Sequence, residues 1–146
     1  MKAYNVMTED VIAVRAETTV KEIARLLTKN RIGGVPVVND EREVIGMVNK
    51  GDLFVKQKRV PYVGMTAPAL FDRFVNPENI AEKYEEASDL TAADVMTKAV
   101  VTVDAWDEVG QVAETMTQHN VRRVPVVRGG KLVGIISRSD IINLLT

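Results

Sequence analysis

The stretch Ser137-Arg138-Ser139-Asp140 carries side chains that suit a nucleoside site, and it directly follows an apolar run that ends at Ile136. A carboxylate where a strand meets a helix can accept from both ribose hydroxyls, while a hydroxyl and free helix-start amides can hold a phosphate. The same residues are good helix caps, because serine oxygens accept from helix-start amides and the helix dipole favours an acid in the first turn. The stretch alone leaves both interpretations open.

Two adjacent cations, Arg122 and Arg123, stand directly before the apolar run VPVV. Two guanidiniums at the start of a strand can fork onto the oxygens of a phosphate. An isolated pair of arginines is more often ordinary surface charge. This pair is therefore a second candidate feature that needs a structural context.

Other kinds of chemistry find little support. The chain has no cysteine and a single histidine, His119, so disulfides and thiolate zinc sites are excluded. No P-loop, paired-glycine fingerprint or nucleophile elbow is present, so we predict that the protein is not an enzyme and that His119 is a helix-end residue. A net charge of -1 argues against nucleic acid as a partner. Neither a signal-peptide pattern nor an apolar run of membrane-spanning length is present, so we predict a cytoplasmic protein without a membrane partner.

The sequence segments that must position these residues occur twice in the chain. The segment VMTEDVIAVRAETTVKEIARLLTKNRIGGVPVV, which starts at Val6, returns as VMTKAVVTVDAWDEVGQVAETMTQHNVRRVPVV from Val95. The segment VIGMVNKGDL from Val44 likewise returns as LVGIISRSDI from Leu132. This duplication predicts one module, with copies over residues 6–56 and 94–146 and an insertion over 57–93.

Each copy has the pattern of a β-α-β-β-α unit, which predicts an α/β (α+β) fold. Because half of a single copy's sheet would be bare, we expect the two copies to pack about a pseudo-twofold axis and to leave two related clefts. Thr18 or Thr19 and Asp107 are the expected N-caps of the first helices. The predicted strands are 11–14, 35–38 and 44–48 in the first copy and 100–103, 124–127 and 132–136 in the second, with closing helices near Asp52 and Asp140.

The insertion has a different character, because Pro61, Pro68 and Pro77 cut it into short pieces. Its second half, NPENIAEKYEEASDL, predicts an acidic helix with Asn76 as cap and Pro77 at the first helical position. A solvated connecting helix is the favoured interpretation, and a partner-docking element is the alternative. The side chains that support the alternative are Leu70, Phe71, Phe74 and Tyr84.

The order of these motifs resembles the CBS domain family. Both copies carry VMT before the first strand, the apolar-P-V-V strand and a close of the form G-h-h-[ST]-x-x-D, from which only Asn49 departs. The insertion is similar to the linker of stand-alone bacterial CBS-pair proteins. The resemblance implies a paired regulatory module, also called a Bateman module, that is often a dimer and binds AMP, ADP, ATP or S-adenosylmethionine.

The resemblance also implies roles for particular residues in one preferred cleft. Asp140 would hold the ribose hydroxyls, and Ser137 and Ser139 would lie near ribose or phosphate. Arg122 and Arg123 would face the phosphates. The opposite wall and the base contacts would come from Thr18, Ile23, Val48, Asn49 and Ile136.

A second, weaker cleft would use Asp52 and Asn49, with Val100 and Val101 along the adenine. Here Asn49 replaces the usual serine or threonine, and the glycines at positions 33 and 34 replace the arginine pair. The two clefts are therefore expected to differ by two charges. This difference argues against phosphate binding in the second cleft and leaves room there for a nucleoside or S-adenosylmethionine.

The sequence thus predicts a non-catalytic adenylate or energy sensor, whose bound nucleotide shifts the arrangement of the two copies for an unknown effector protein to read. The alternative is a structural or interaction module with vestigial sites. We expect a homodimer, because two amphipathic helices per copy offer more apolar surface than one sheet stack covers.

Overall fold

The computed structural model describes residues 1–57 and 90–146. The predicted helix over 76–90 lies outside these ranges except for its last residue, and so do the side chains from Leu70 to Phe74 and Tyr84. The described elements are α1 (Ala3–Val6), α2 (Val20–Asn30), β1 (Gly34–Val38), β2 (Val44–Asn49), α3 (Lys50–Gln57), α4 (Ala92–Val95), β3 (Val103–Asp104), α5 (Val109–Gln118), β4 (Arg123–Arg128), β5 (Lys131–Ser137) and α6 (Arg138–Asn143).

Two small sheets form the centre of the described chain. Strands β1 and β2 pair antiparallel, and β4 pairs antiparallel with β5 and parallel with β3. All five residues of β1 are buried, which is why its sequence reads as a continuous apolar run. The mixed α/β architecture and the tandem repeat agree with the predicted fold.

The predicted first strands are largely wrong. Of the predicted first strand 11–14, only Val14 pairs, in a parallel bridge with Val37. The corresponding strand of the second copy is the two-residue strand β3. The β-branched runs before Val14 and Val103 are outside the regular strands. A β-branched run predicts extended backbone, but it does not show whether a neighbouring strand is close enough to pair.

The helix boundaries follow the predicted caps with one exception. The Thr19 hydroxyl accepts from the Glu22 backbone amide at 3.2 Å, as an N-cap should. Helix α5 instead begins after Glu108, while the Asp107 carboxylate accepts from the Asp104 amide at 2.9 Å. His119 follows the end of α5, where it was predicted.

The short helix that leads into each copy packs in the core of the other copy. Ala3 of α1 is fully buried in the second copy's core, and Ala92 of α4 is fully buried in the first copy's core. The exchange is reciprocal, because a bridge joins Thr8 to Ile135 and the equivalent bridge joins Thr97 to Met47. These bridges relate the copies by a pseudo-twofold axis and bring their strand-to-helix corners together.

Two glycines make this exchange possible. A Cβ atom on Gly134 would lie 2.7 Å from the Cγ of Met7 and 2.9 Å from its Cβ, and one on Gly46 would lie 2.9 Å from the Cγ of Met96 and 3.1 Å from its Cβ. Real Cβ atoms do not approach other atoms so closely. The methionine of each VMT motif therefore packs where the opposite copy's β-strand lacks a side chain.

Replacing Gly134 by alanine is expected to lower the free energy of unfolding by about 1–3 kcal/mol, because the new methyl group overpacks this contact. Urea unfolding measures the change. Gly110→Ala is the control: a Cβ there meets nothing within 4 Å, and an alanine in α5 is expected to stabilise by about 0.5–1 kcal/mol. A Gly134→Ala protein as stable as the native chain would contradict this packing.

Candidate functional site

Two clefts lie at the junction of the copies. The Asp140 cleft, about 320 Å³ in volume, is bounded by the β5–α6 corner and by the segment before Val14. The Arg122 cleft, about 480 Å³, is bounded by the β2–α3 corner, the segment before Val103 and the start of β4. The charged side chains of the Asp140 cleft are Asp10, Arg31, Arg123 and Asp140, and those of the Arg122 cleft are Lys50, Arg122 and Arg123.

The Ser137–Asp140 stretch forms a helix cap and also lines a cleft. The Ser137 hydroxyl accepts from the Asp140 amide at 3.2 Å, and the Asp140 Oδ2 atom accepts from the Ser137 amide at 2.8 Å. Ser137, Ser139 and Asp140 all line the Asp140 cleft. The capping interpretation is confirmed, and ligand binding by the same residues stays a prediction.

Asp52 makes the equivalent cap in the first copy, where its Oδ2 atom accepts from the Asn49 amide at 2.9 Å. Asp52 is not among the residues that line the Arg122 cleft, although Asn49, Val100 and Val101 are. The two clefts therefore differ in more than charge. Only the Asp140 cleft has an aspartate of the repeated strand-to-helix corner on its wall.

The Arg123 side chain lies between the clefts and lines both of them. It is partly buried, and its Nη1 atom donates to the Asn49 Oδ1 atom. Burial, and secondarily the charge of Arg122, lowers the pKa of Arg123. An arginine nevertheless stays protonated in proteins, so this guanidinium is a fixed positive charge shared by two cavities.

Steric exclusion explains why residues 33 and 34, at the positions that correspond to the arginine pair, are glycines. A Cβ atom on Gly33 would overlap the Arg123 guanidinium, and one on Gly34 would overlap the Asn49 amide oxygen and lie 3.0 Å from Arg123 Nη1. The first copy therefore lacks side chains here because the second copy's arginine occupies the space. The sequence alone shows these glycines only as positions without the arginine pair of the second copy.

Four of the predicted ligand-binding residues do not reach either cleft. Ile23, Val48 and Ile136 are 0% exposed, the first two in the first copy's core and the third in the second copy's core. Thr18 accepts from the Arg15 amide at 3.0 Å through its hydroxyl and does not line either cleft. The predicted opposite wall is thus corrected, because these side chains point into hydrophobic layers or cap a turn.

The predicted grouping of the arginines and Asn49 also changes. Arg122 and Asn49 line the Arg122 cleft, and of the arginine pair only Arg123 reaches the Asp140 cleft. The clefts are unequal in charge, as expected, but in the opposite sense. The Arg122 cleft, predicted to be poor in cations, has three cations and no acid among the residues that line it.

Sequence reasoning missed Val11 and Ile12, which form an apolar wall of the Asp140 cleft. They are the counterparts of Val100 and Val101, which line the Arg122 cleft. The repeat itself carried the signal, because the offset that relates the VMT motifs also relates these two pairs. It also missed Lys50, which directly follows β2.

No group of three or more histidine, cysteine, aspartate or glutamate side chains suited to a metal ion occurs within residues 1–57 and 90–146. In the same ranges, no helix is both long and apolar enough to cross a bilayer.

The sequence profile of the CBS domain matches this chain twice, over residues 3–59 and 92–146. The chain belongs to the CBS domain family. CBS domain pairs are generally regulatory and non-catalytic, and the two matched segments form the two copies described above.

Two proteins of Methanocaldococcus jannaschii are similar over nearly the whole chain. MJ1225 is 33% identical over 141 residues, which are 96% of this chain and 41% of that protein. MJ1426 is 31% identical over 144 residues, which are 92% of this chain and 85% of that protein. This CBS pair therefore spans less than half of one relative and most of the other.

Solved CBS structures share the fold. The CBS domain of a membrane protein from Sphaerobacter thermophilus has a TM-score of 0.77 and 31% identity, covering 100% of this chain and 88% of that one. CBSX2 in complex with AMP has a TM-score of 0.74 and 22% identity, with coverages of 99% and 95%. The CBS pair of MJ0100 with 5-methylthioadenosine and S-adenosyl-L-methionine has a TM-score of 0.72 and 21% identity, with coverages of 99% and 95%.

Proposed function

We propose that this CBS pair is a non-catalytic regulatory module that binds an adenine nucleotide in the Asp140 cleft and signals its occupancy to a partner protein. One observation carries the proposal: the Asp140 carboxylate, the Ser137 and Ser139 hydroxyls and the Arg123 guanidinium all line a single cavity. The carboxylate, hydroxyls and guanidinium are suited to ribose and phosphate, and the wall of Val11 and Ile12 is suited to a base.

The ribose contact rests on the geometry of the cap. The Ser137 amide occupies the Oδ2 atom of Asp140, and within the described chain no donor is bonded to Oδ1. Hydrogen bonds that involve a charged group contribute about 1.5–3 kcal/mol each. The Oδ1 atom is thus available to accept from ribose hydroxyls.

The charge of the cleft sets the ligand class. Asp10 and Asp140 balance Arg31 and Arg123, so the cleft as a whole has no excess positive charge. This balance favours an adenosine compound with no more than one phosphate, such as AMP, over ADP or ATP. The AMP bound by CBSX2 and the adenosyl compounds bound by MJ0100 support this ligand class for the fold.

Signalling would follow from the position of the cleft between the two copies. A ligand that contacts Val11 in one copy and Asp140 in the other stabilises one relative arrangement of the copies, and a partner can read the shift in population. In this proposal the module is a homodimer in the cytoplasm. Its exposed side chains Ile142, Leu144 and Leu145, at the end of the second copy, supply apolar surface for association.

Calorimetric titration of the intact chain with adenosine, AMP, ADP, ATP, S-adenosylmethionine and NADH tests the proposal. We expect AMP to bind, and Asp140→Asn to lower its affinity about 10-fold or more because the ribose loses a charged acceptor. An asparagine oxygen can still accept from the Ser137 amide, so the helix cap is kept. Asp52→Asn is the matched control, since Asp52 makes the same cap outside the Asp140 cleft.

Three outcomes would contradict the proposal. If none of these ligands binds, the CBS pair would be a structural or interaction module without a functional nucleotide site. Binding of AMP that Asp140→Asn leaves unchanged would place the ligand elsewhere. Turnover of ATP well above a blank would show that the module is catalytic.

A further inference from the structure

The Arg122 cleft combines features that a nucleoside site does not require. Three cations line it, from two different copies: Lys50 at the start of α3, and Arg122 and Arg123 at the start of β4. No aspartate or glutamate is among the described residues that line it. Such a concentration of one charge in a cavity focuses its field on an anion.

The positions of these groups are set by the fold. The Lys50 amide donates to the Gly33 carbonyl at 2.9 Å, which holds the start of α3 against the glycine pair. The same glycines leave space for the Arg123 guanidinium. Arg122 is exposed at the cleft mouth.

Asp52, two residues after Lys50, is not on the wall of this cleft. It lies in the first turn of α3, and its Oδ2 atom accepts from the Asn49 amide. Burial, and then the charge of Arg122, lower the pKa of Arg123. An anion bound beside these two guanidiniums would favour the charged form of Arg123.

We propose that the Arg122 cleft is a separate site for a chain of two or more phosphates, either free or carried by a nucleotide, which is recognised by charge rather than by its nucleoside. Two guanidiniums can fork onto phosphate oxygens, and a lysine supplies a third point charge. With no carboxylate on its wall for a ribose, the site gains little from adenosine. The two clefts would then divide ligands, with a nucleoside or monophosphate in one and a polyphosphate in the other.

This inference rests on the proposed function only in assigning a nucleoside or monophosphate to the Asp140 cleft. Titration of the intact chain with sodium tripolyphosphate, ATP and adenosine at about 0.15 M salt, where charges far apart on the surface are screened, tests it directly. We expect tripolyphosphate to bind saturably at one site per chain. Tripolyphosphate and ATP should bind with affinities within about a factor of ten of each other, and adenosine should not compete with tripolyphosphate.

Arg122→Ala and Lys50→Ala each remove a cation that lines only this cleft, from a side chain whose exposure makes the fold tolerant of the change. Each is expected to weaken tripolyphosphate binding about 10-fold and to leave adenosine binding unchanged. Arg25→Ala, which removes an equal charge from the exposed face of α2, is the control and should have less than a twofold effect. Circular dichroism confirms that each variant is folded.

Tripolyphosphate binding that is absent, or that Arg25→Ala weakens as much as Arg122→Ala does, would overturn the inference, because it would then reflect only general charge. A preference for ATP over tripolyphosphate of about 100-fold would also overturn it, by showing that the nucleoside is recognised. Loss of AMP binding in Asp140→Asn bears on the proposed function alone. Tripolyphosphate binding without any binding of AMP would leave this inference standing and remove the proposed function.

Discussion

Replacing Ile23 by alanine is expected to lower the free energy of unfolding by about 2–5 kcal/mol. The Ile23 side chain is 0% exposed and lies in the first copy's core beside Val20 and Leu27 on α2. Truncation removes buried apolar surface and leaves a cavity that close-packed neighbours fill only in part. Urea unfolding followed by circular dichroism measures the change.

Lys21→Ala is the control, because Lys21 is an exposed residue of the same helix and its truncation is expected to change stability by about 0.5 kcal/mol or less. The experiment also separates two accounts of Ile23, which family resemblance placed beside a ligand. An Ile23→Ala protein of native stability but weakened AMP binding would restore the ligand role. A destabilised protein that still binds AMP when folded would confirm the core role.

Replacing Arg123 by alanine is expected to weaken phosphorylated ligands at both clefts by about 10- to 150-fold. The guanidinium lines both cavities, and a charge-assisted hydrogen bond contributes about 1.5–3 kcal/mol, which corresponds to that range of affinity. Adenosine has no phosphate and should keep its affinity. Titrations with AMP, tripolyphosphate and adenosine measure the three effects.

Arg128→Ala is the control for Arg123, because Arg128 belongs to the same strand and carries the same charge but packs over the Trp106 ring, 5.1 Å from its centroid. It lines neither cleft and should leave all three ligands unaffected. Equal weakening of adenosine and AMP in Arg123→Ala would show a structural effect through Asn49. Weakening at one cleft alone would contradict the shared role.

Local patterns predicted most of the elements. The predicted bounds of the two hairpins and of the amphipathic helix α2 are close to the observed ones. These elements are predictable because the spacing of apolar residues and the turn residues between them lie within a short stretch of sequence. The caps at Thr19 and Ser137 were expected for the same reason. The first strands failed, because pairing depends on a neighbour that is distant in sequence.

The composition of the clefts was harder to predict. Their walls are brought together by the exchange of the short helices α1 and α4, whose bridges join Thr8 to Ile135 and Thr97 to Met47. Nothing local to Val11 or Gly33 shows that a strand-to-helix corner of the other copy lies opposite. Residue types alone pointed to Asp140 and Arg123, which line the same cleft, while their neighbours across the cleft required the structure.

A crystal structure of the chain with AMP tests the Asp140 cleft directly. We expect the ribose hydroxyls to lie about 3 Å from the Asp140 carboxylate, with the phosphate at Arg123 and the base against Val11 and Ile12. AMP bound outside both clefts, or bound with its ribose away from Asp140, would contradict the proposed site.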